Sequence, residues 1–425
     1  MSLIGKKEFK NASWLIGGRV LQMLLSLFIN LITARYLGPT NFGLINYANS
    51  FVAFFTSLCN LGLNYIIIKE LIINKSDQGK VIGTSIGLRA ISSVLSIFAI
   101  WAVVNITDTG DSQTILVVLL CSAGVLFNVL DTFNYWFQIQ YKSRITATAT
   151  LIGYIVLSIY RIILLILKKD IVWFALAASI DYAVIGIVLW IAYRINKGPH
   201  LSFSLKKGKM LLSQSYHYIL SGMMVTIYGQ TDKFMLRHLM SYDEVGYYSS
   251  ATVICAAWVF VLTAIIDSMF PTICYLHGEK NEEAFKKKNR QLYSIVFYIS
   301  LCVSIFFRVG SEFVVGLMYG QDYLPAANSL RILTWYTAFA YLGVARNAWL
   351  TCKGKQKYEK YIYSIAAILN IGMNFVFIPI LGAEGAAIAT FLTQLFTCII
   401  IPSFFKELRP NVKLMIDAIT LRGIF

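Results

Sequence analysis

Apolar residues along this chain fall into about twelve blocks of roughly twenty residues, separated by short polar stretches. The blocks cover residues 13–34, 44–68, 81–105, 114–138, 146–167, 171–193, 211–236, 245–273, 291–311, 326–350, 358–380 and 383–405. A hydrocarbon core about 30 Å thick is crossed by about twenty residues of α-helix. The pattern therefore predicts an all-α polytopic membrane protein with about 12 transmembrane helices. Two blocks, 211–236 and 245–273, carry polar residues that leave their lengths open, and Pro271 is expected to close the second. The tail beyond 405 is amphipathic and is expected to lie along the membrane interface.

Composition narrows this further. The 425 residues are 57% hydrophobic and 14% charged, against about 25% charged in soluble domains. That leaves little room for a soluble domain. The first block follows Lys6 and Lys7, spans the full width and lacks a small-residue cleavage site, so it reads as a retained span.

The net charge of +16 would suit nucleic acid, but its distribution argues otherwise. With the N-terminus inside, 25 of the 37 Lys and Arg fall in cytoplasmic segments. Four fall in outer loops: Arg35, Lys168, Lys169 and Arg237. This is the positive-inside bias, and it predicts that both termini are cytoplasmic. Asp108, Asp111, Asp243, Glu244, Glu312 and Asp322 lie in or beside the outer loops.

The two halves of the chain resemble each other. ARYLGPTNFGLINYANS (Ala34 to Ser50) matches LRHLMSYDEVGYYSSA (Leu236 to Ala251), with Arg35 on Arg237 and Gly43 near Gly246. Six spans per half give both the same orientation, a parallel repeat about an axis along the membrane normal. The expected organisation is a six-helix bundle at 1–193, a basic cytoplasmic linker at 194–210, a second bundle at 211–405 and a cytoplasmic tail at 406–425. Two pseudo-symmetric bundles of this kind place a central cavity between them.

Polar side chains inside the spans supply the candidate chemistry. A charge at the centre of a membrane helix costs about 3 kcal/mol even on insertion scales, so each needs a partner or a wet cavity. Span one carries Arg19, Gln22, Ser26, Asn30 and Thr33 at spacings of three and four, all on one face. Span two carries Asn46, Asn49, Ser57, Asn60 and Asn64, and span seven carries Tyr218, Ser221, Tyr228 and Asp232. The expected cavity residues are Arg19, Gln22, Ser26, Asn30, Asn60, Asn64, Tyr228 and Lys233.

Arg19 and Asp267 lie at similar depth on spans of opposite halves and form a candidate gate. Asp232 is a candidate outer gate or coupling-ion site. Arg89 with Asp131 and Arg161 with Asp181 read as structural ion pairs, while Arg308, Arg331 and Arg346 near helix ends are expected to snorkel. The seven cysteines contain no CxxC pair and read as small apolar filler. Four scattered histidines give no metal site, and no cofactor motif is present.

Several stretches carry a family resemblance: ARYLGPTNFG (Ala34 to Gly43), GLNYIIIKEL (Gly62 to Leu71), YWFQIQYKSR (Tyr135 to Arg144), TDKFML (Thr231 to Leu236), EVGYYSSA (Glu244 to Ala251), YGQDYLPAANSLRILTW (Tyr319 to Trp335) and LNIGMNFVFIPILGAEGAAIAT (Leu369 to Thr390). In order and spacing the chain resembles the polysaccharide and O-antigen flippases of the multidrug/oligosaccharidyl-lipid/polysaccharide exporter superfamily.

The resemblance implies transport of an undecaprenyl-pyrophosphate-linked oligosaccharide by alternating access, with no bond broken. It also implies a bacterial or archaeal cytoplasmic membrane and contact with polysaccharide polymerase machinery. Arg19, with Lys233 as a second cation, suits an anionic headgroup, since a guanidinium donates two parallel hydrogen bonds to phosphate. The alternatives are a cation-coupled multidrug exporter and a lipid II flippase. A membrane glycosyltransferase or polymerase would need acidic residues in sizeable outer loops, and these loops are short and hold no DxD.

Overall fold

The structure is a computed structural model. It describes the backbone of residues 3–422, and side chains from residue 25 onward except those of 217, 220 and 221. Among the described residues the secondary structure is helical, with no strand. Eight stretches are long and apolar enough to cross a bilayer. Two of them, Leu25–Ile73 and Gln356–Phe404, have 49 residues each, about twice what one crossing needs. They accommodate the expected spans one and two, and eleven and twelve. The chain folds as two compact units, Met1–Leu37 with Leu44–Gln230, and Gly38–Gly43 with Thr231–Phe425.

In the first unit, α1 (Leu3–Cys59) runs through both expected spans and breaks at Gly38, whose φ of 72° lies in the left-handed region, just before Pro39. α2 (Asn64–Ile73) and α3 (Gln78–Thr107) follow. Span four is divided into α4 (Ser112–Ser122), α5 (Gly124–Asn128) and α6 (Thr132–Ile139), with a 3₁₀ turn at Val129–Asp131. α7 (Ser143–Ile166) and α8 (Ile171–Ile195) are single crossings, and α9 (Leu205–Leu239) begins in this unit. Leu63, Ile67, Phe133, Phe137, Tyr193 and Leu211 form part of one of its core clusters.

The stretch 194–210, expected as the linker between halves, is bonded into this first unit. Gly79, Gly83 and Gly87 recur every four residues and so share one face of α3. Against that face lies the extended segment 199–204. A Cβ on Gly83 would stand 2.6 Å from the Ser202 carbonyl oxygen and 2.8 Å from its nitrogen, closer than real Cβ atoms come. The Ser202 N–H donates to the Gly79 carbonyl (3.3 Å), and the Ser204 N–H donates to Thr84 Oγ1 (3.0 Å). Lys207 then closes on Glu70 at 2.7 Å, with the carboxylate side chain 7% exposed. The small-residue face thus packs against main chain rather than against another helix.

In the second unit, α10 (Tyr242–Trp258) and α11 (Phe260–Gly278) make up span eight. Pro271 was expected to close that span, but it lies inside α11, which continues to Gly278. α12 (Glu282–Tyr319) has 38 residues, about 57 Å at 1.5 Å per residue, and so extends past the hydrocarbon core. α13 (Ala326–Cys352) packs against it, followed by α14 (Glu359–Leu395), a π-helical turn at Phe396–Ile400, α15 (Ile401–Phe404) and α16 (Arg409–Ile419).

α14 covers spans eleven and twelve and breaks at Gly382, with φ 56°. The next amide, Ala383 N–H, donates to Glu244 Oε2 at 2.5 Å. A side chain on Gly382 would collide with that carboxylate. The break is therefore capped from the first turn of α10, where Asp243 also accepts a hydrogen bond from Thr40 Oγ1.

Two further expectations change here. The tail does not lie free along the interface. Ser294 Oγ donates to the Ala418 carbonyl (2.8 Å), Tyr298 Oη to Ile419 O (2.7 Å) and Asn411 Nδ2 to Tyr293 Oη (2.7 Å). With Val412, Leu414, Met415 and Ala418 buried, the apolar face of α16 is spent on α12. Nor does Arg346 snorkel: it is 1% exposed and donates from Nη1 to the Thr397 carbonyl (3.0 Å), inside the π-helical turn. A π turn leaves a carbonyl out of the regular ladder, which gives a buried guanidinium an acceptor.

The outward faces are apolar. Ile106, Val309, Phe313 and Ile368 are each more than 70% exposed, the inverse of a soluble surface and what lipid contact requires. A Gly83→Val substitution should lower the melting temperature of the purified protein, because the overpacked strap costs about 1–3 kcal/mol. Gly208→Ala, whose added Cβ meets only ordinary contacts from 3.4 Å, should not. Equal melting temperatures would remove the strap from the account of stability.

Candidate functional site

The most organised polar site in the second unit surrounds Asp232, on the last turns of α9. Its carboxylate is 6% exposed. Tyr248 of α10 donates to Oδ2 at 2.5 Å, and Thr390, beyond the break in α14, donates to the same oxygen at 2.8 Å. Asn374, before that break, donates from Nδ2 to Oδ1 at 2.6 Å and is 3.2 Å from Asn370 Oδ1. Tyr248 and Thr390 lie 3.2 Å apart. Three helical segments thus converge on one carboxylate, and the break at Gly382 lets both arms of α14 reach it.

The chemistry of this cluster is specific. Every donor to Asp232 is a neutral hydroxyl or amide, so the carboxylate is solvated without being neutralised. Lys233, next in sequence and half-buried, feels the charge of Asp232. The Oδ1 atom of Asn374 and the Nδ2 atom of Asn370 are buried without a hydrogen-bond partner. The surrounding ligand atoms are carboxylate, amide and hydroxyl oxygens, the set that suits a hard cation or a proton. Among the described residues no group of three or more His, Cys, Asp and Glu could hold a metal ion. Asp232 is the acid on which these hydrogen bonds converge.

Sequence reading singled out Asp232 but missed Asn370, Asn374, Thr390 and Tyr248. One signal was available: Asn370 and Asn374 stand four apart on an otherwise apolar helix, which places both amides on one face. Their partnership with Thr390 needed the reversal at Gly382, which spacing alone does not reveal.

In the first unit the structure places the expected residues in two groups. Arg161 of α7 donates from Nη1 to Asn30 Oδ1 at 3.1 Å. Asp181 of α8 lies within its electrostatic reach. Asp181 Oδ1 and Arg161 Nε have no hydrogen-bond partner, so the described contact of Arg161 is Asn30 rather than a closed ion pair. Arg89 of α3 is 1% exposed and donates to Thr132 Oγ1 at 2.8 Å and to Asn60. Asp131 feels the Arg89 charge and is 3.5 Å from the Asn134 amide. Asn128 adds a longer contact to Asn60 at 3.4 Å. Asn60 is the last residue before the turn at Leu61 and Gly62, both at positive φ, which interrupts the expected span 44–68 between α1 and α2, so the arginine pins that turn.

Ser26, Asn30, Asn60, Asn64, Tyr228 and Lys233 are all partly exposed, whereas Asp267 is exposed on α11. The side chains of Arg19 and Gln22 lie outside the described residues. Arg331, expected to snorkel, pairs with Glu312 at 2.6 Å, and Arg308 is exposed.

Helices of membrane length with an apolar outer face, holding buried and half-buried polar clusters, define a polytopic membrane protein. A family model described as "Polysaccharide biosynthesis protein" matches residues 9–277, and one described as MatE matches 218–376. The chain belongs to the polysaccharide biosynthesis protein family, within the multidrug/oligosaccharidyl-lipid/polysaccharide exporter superfamily.

It is 22% identical over 403 residues, 89% of this chain and 93% of the relative, to a Shigella flexneri protein named "Putative O-antigen transporter". It is 23% identical over 225 residues to the Haloferax volcanii protein named "Probable low-salt glycan biosynthesis flippase Agl15", covering 51% of this chain and 47% of that one. Among solved structures, an inward-facing multidrug resistance MATE family transporter matches with TM-score 0.73 at 15% identity, over 93% of this chain and 96% of the other. The lipid II flippase MurJ, in an inward closed conformation, matches with TM-score 0.71 at 16% identity, over 96% and 91%. These likenesses establish the fold.

Asn374→Ala should destabilise the purified protein by about 1–3 kcal/mol, because it removes a donor from a buried carboxylate. Thermal unfolding in detergent reads this directly. An unchanged transition would mean that Asp232 does not depend on that donor.

Proposed function

We propose that this protein moves a polyprenyl-pyrophosphate-linked oligosaccharide from the cytoplasmic to the outer leaflet of a bacterial or archaeal cytoplasmic membrane, supplying surface polysaccharide synthesis. What carries the reading is the match of residues 9–277 to the polysaccharide biosynthesis family. The relative aligned over nearly its whole length, named for O-antigen transport, points the same way. The cycle makes and breaks no covalent bond, so the protein is not an enzyme in this reading. Both termini lie in the cytoplasm, where the polysaccharide polymerase machinery is a candidate neighbour.

The chemistry divides between the units. In the first, Ser26, Asn30, Asn60 and Asn64 offer hydroxyl and amide groups from partly exposed positions, and such groups exchange hydrogen bonds with sugar hydroxyls. Arg161 and Arg89 hold two of these amides in place. Arg19 is the cation of this unit suited to the anionic pyrophosphate, and Lys233 is the candidate cation of the second unit.

In the second unit Asp232 is the coupling group. Entry of a proton or a hard monovalent cation neutralises its charge and alters the hydrogen bonds that join α9, α10 and both arms of α14. A ligand shifts a conformational equilibrium only by its differential affinity for the two states, and rearranging these bonds supplies that difference. Asp267, exposed on α11, remains the candidate gate.

A second reading, a cation-coupled multidrug exporter, draws on the MatE match at 218–376 and on the acids at 232 and 267 of the second unit. One experiment separates the two. In a strain lacking the native gene, Arg19→Ala and Asp232→Asn should each abolish surface polysaccharide while protein level in the membrane stays intact. Full polysaccharide in both variants would overturn the assignment. Unchanged polysaccharide in the deletion strain, with heightened sensitivity to cationic dyes, would select the exporter.

A further inference from the structure

Two side chains of the second unit form a chemical pair that transport does not use. Cys352 is the last residue of α13, and Cys274 lies in the last turns of α11. They are 78 positions apart, yet their sulfur atoms stand 3.3 Å from each other, with the Cys352 thiol donating to the Cys274 sulfur. Both are free and half-buried. The neighbouring residues Ile273 and Leu350 are fully buried in one core cluster, which holds the two helix ends together.

We propose that Cys274 and Cys352 are a reversible redox modification site, closed to an intramolecular disulfide by a two-electron oxidant such as a hydroperoxide. A disulfide needs sulfurs about 2.05 Å apart and compatible backbone positions. Two thiols already in contact at the ends of packed helices need a small approach rather than a rearrangement of the fold. In a reducing compartment such a pair stays as dithiol, and intracellular disulfides that do form are characteristically transient or redox-sensing.

The hydrogen bond assigns the roles. Burial, and then the Cys274 sulfur beside it, pushes the Cys352 thiol up to about 12. Cys352 therefore keeps its proton near neutral pH and directs its S–H at the Cys274 sulfur, which leaves Cys274 as the attacking sulfur. The Cys274 thiolate attacks one peroxide oxygen and the O–O bond breaks. Cys274 becomes a sulfenic acid and the other oxygen leaves as water after taking a proton. The Cys352 sulfur then attacks the sulfenic sulfur. The S–O bond breaks, the S–S bond forms, and the Cys352 proton leaves with the hydroxide as a second water. Two thiols lose two electrons, and one peroxide gains them. The product fixes the C-terminal end of α11 to that of α13, downstream of Pro271. A thiol reductant reverses it.

The test uses the full-length protein in native membrane vesicles, reduced first and then exposed to hydrogen peroxide. Free thiols are next blocked with N-ethylmaleimide and the peptides mapped by mass spectrometry. The expected result is a crosslinked peptide joining Cys274 and Cys352, with loss of maleimide labelling at both and recovery after dithiothreitol. Cys302, exposed on α12, should remain labelled as a single thiol. In Cys352→Ser, Cys274 should instead be trapped by dimedone as the sulfenic acid. Maleimide on both Cys274 and Cys352 after peroxide, or either one joined to a different cysteine, would overturn the proposal. The wild-type arm decides this even where the variant fails to fold. The readout is independent of cargo, so its failure leaves the flippase reading untouched.

Discussion

Lipid hydrocarbon offers no hydrogen bonds, and this constraint organises the molecule. Inside the membrane every interruption of a helix must be satisfied by the chain itself, because no water is available to do it. At Gly382 the first amide after the break is received by Glu244, a carboxylate supplied by another helix. At the π-helical turn of Phe396–Ile400 a released carbonyl is taken by the buried Arg346. At the turn after Asn60 the arginine of α3 holds that asparagine. Glu244 and Arg346 would be expensive alone, and each is placed where the backbone leaves a group without its ordinary partner.

The same constraint separates structural polar groups from the candidate functional ones. Arg89 and Arg346 each hold a turn of the fold, through Asn60 and the Thr397 carbonyl. Asp232 differs in that donors from α10 and from both arms of α14 converge on it, all of them neutral groups that preserve its charge. A buried group held ready in this way keeps open a choice of occupant that a closed ion pair would have foreclosed.

Much of the architecture was legible from the chain alone, because membrane spans are long and strongly apolar and so leave an unambiguous pattern. The helical membrane class follows from it, whereas the spans expected separately at 13–34 and 44–68, and at 358–380 and 383–405, run on as long helices broken at Gly38 and Gly382. The boundaries that failed did so for local reasons. Pro271 reads as a stop, yet the helix carries on past it to Gly278. The amphipathic tail reads as membrane-surface, but an apolar face alone does not say whether lipid or protein will cover it, and α12 was the nearer partner. The Asp232 cluster was half visible, since its other members join it only through a chain reversal. The cysteine pair was invisible, because 78 intervening residues carry no hint that two helix ends will meet.

The segment Gly38–Gly43 belongs to the second unit although it precedes nearly all of the first. Its Thr40 bonds to Asp243, 203 positions later. At synthesis rates of about 5–20 residues per second, that partner emerges roughly 10–40 seconds after Thr40 has been made. The second unit is therefore completed by a piece of chain that has waited through the building of the first. The second unit is thus discontinuous in sequence, and a fragment beginning at Thr231 would lack these six residues.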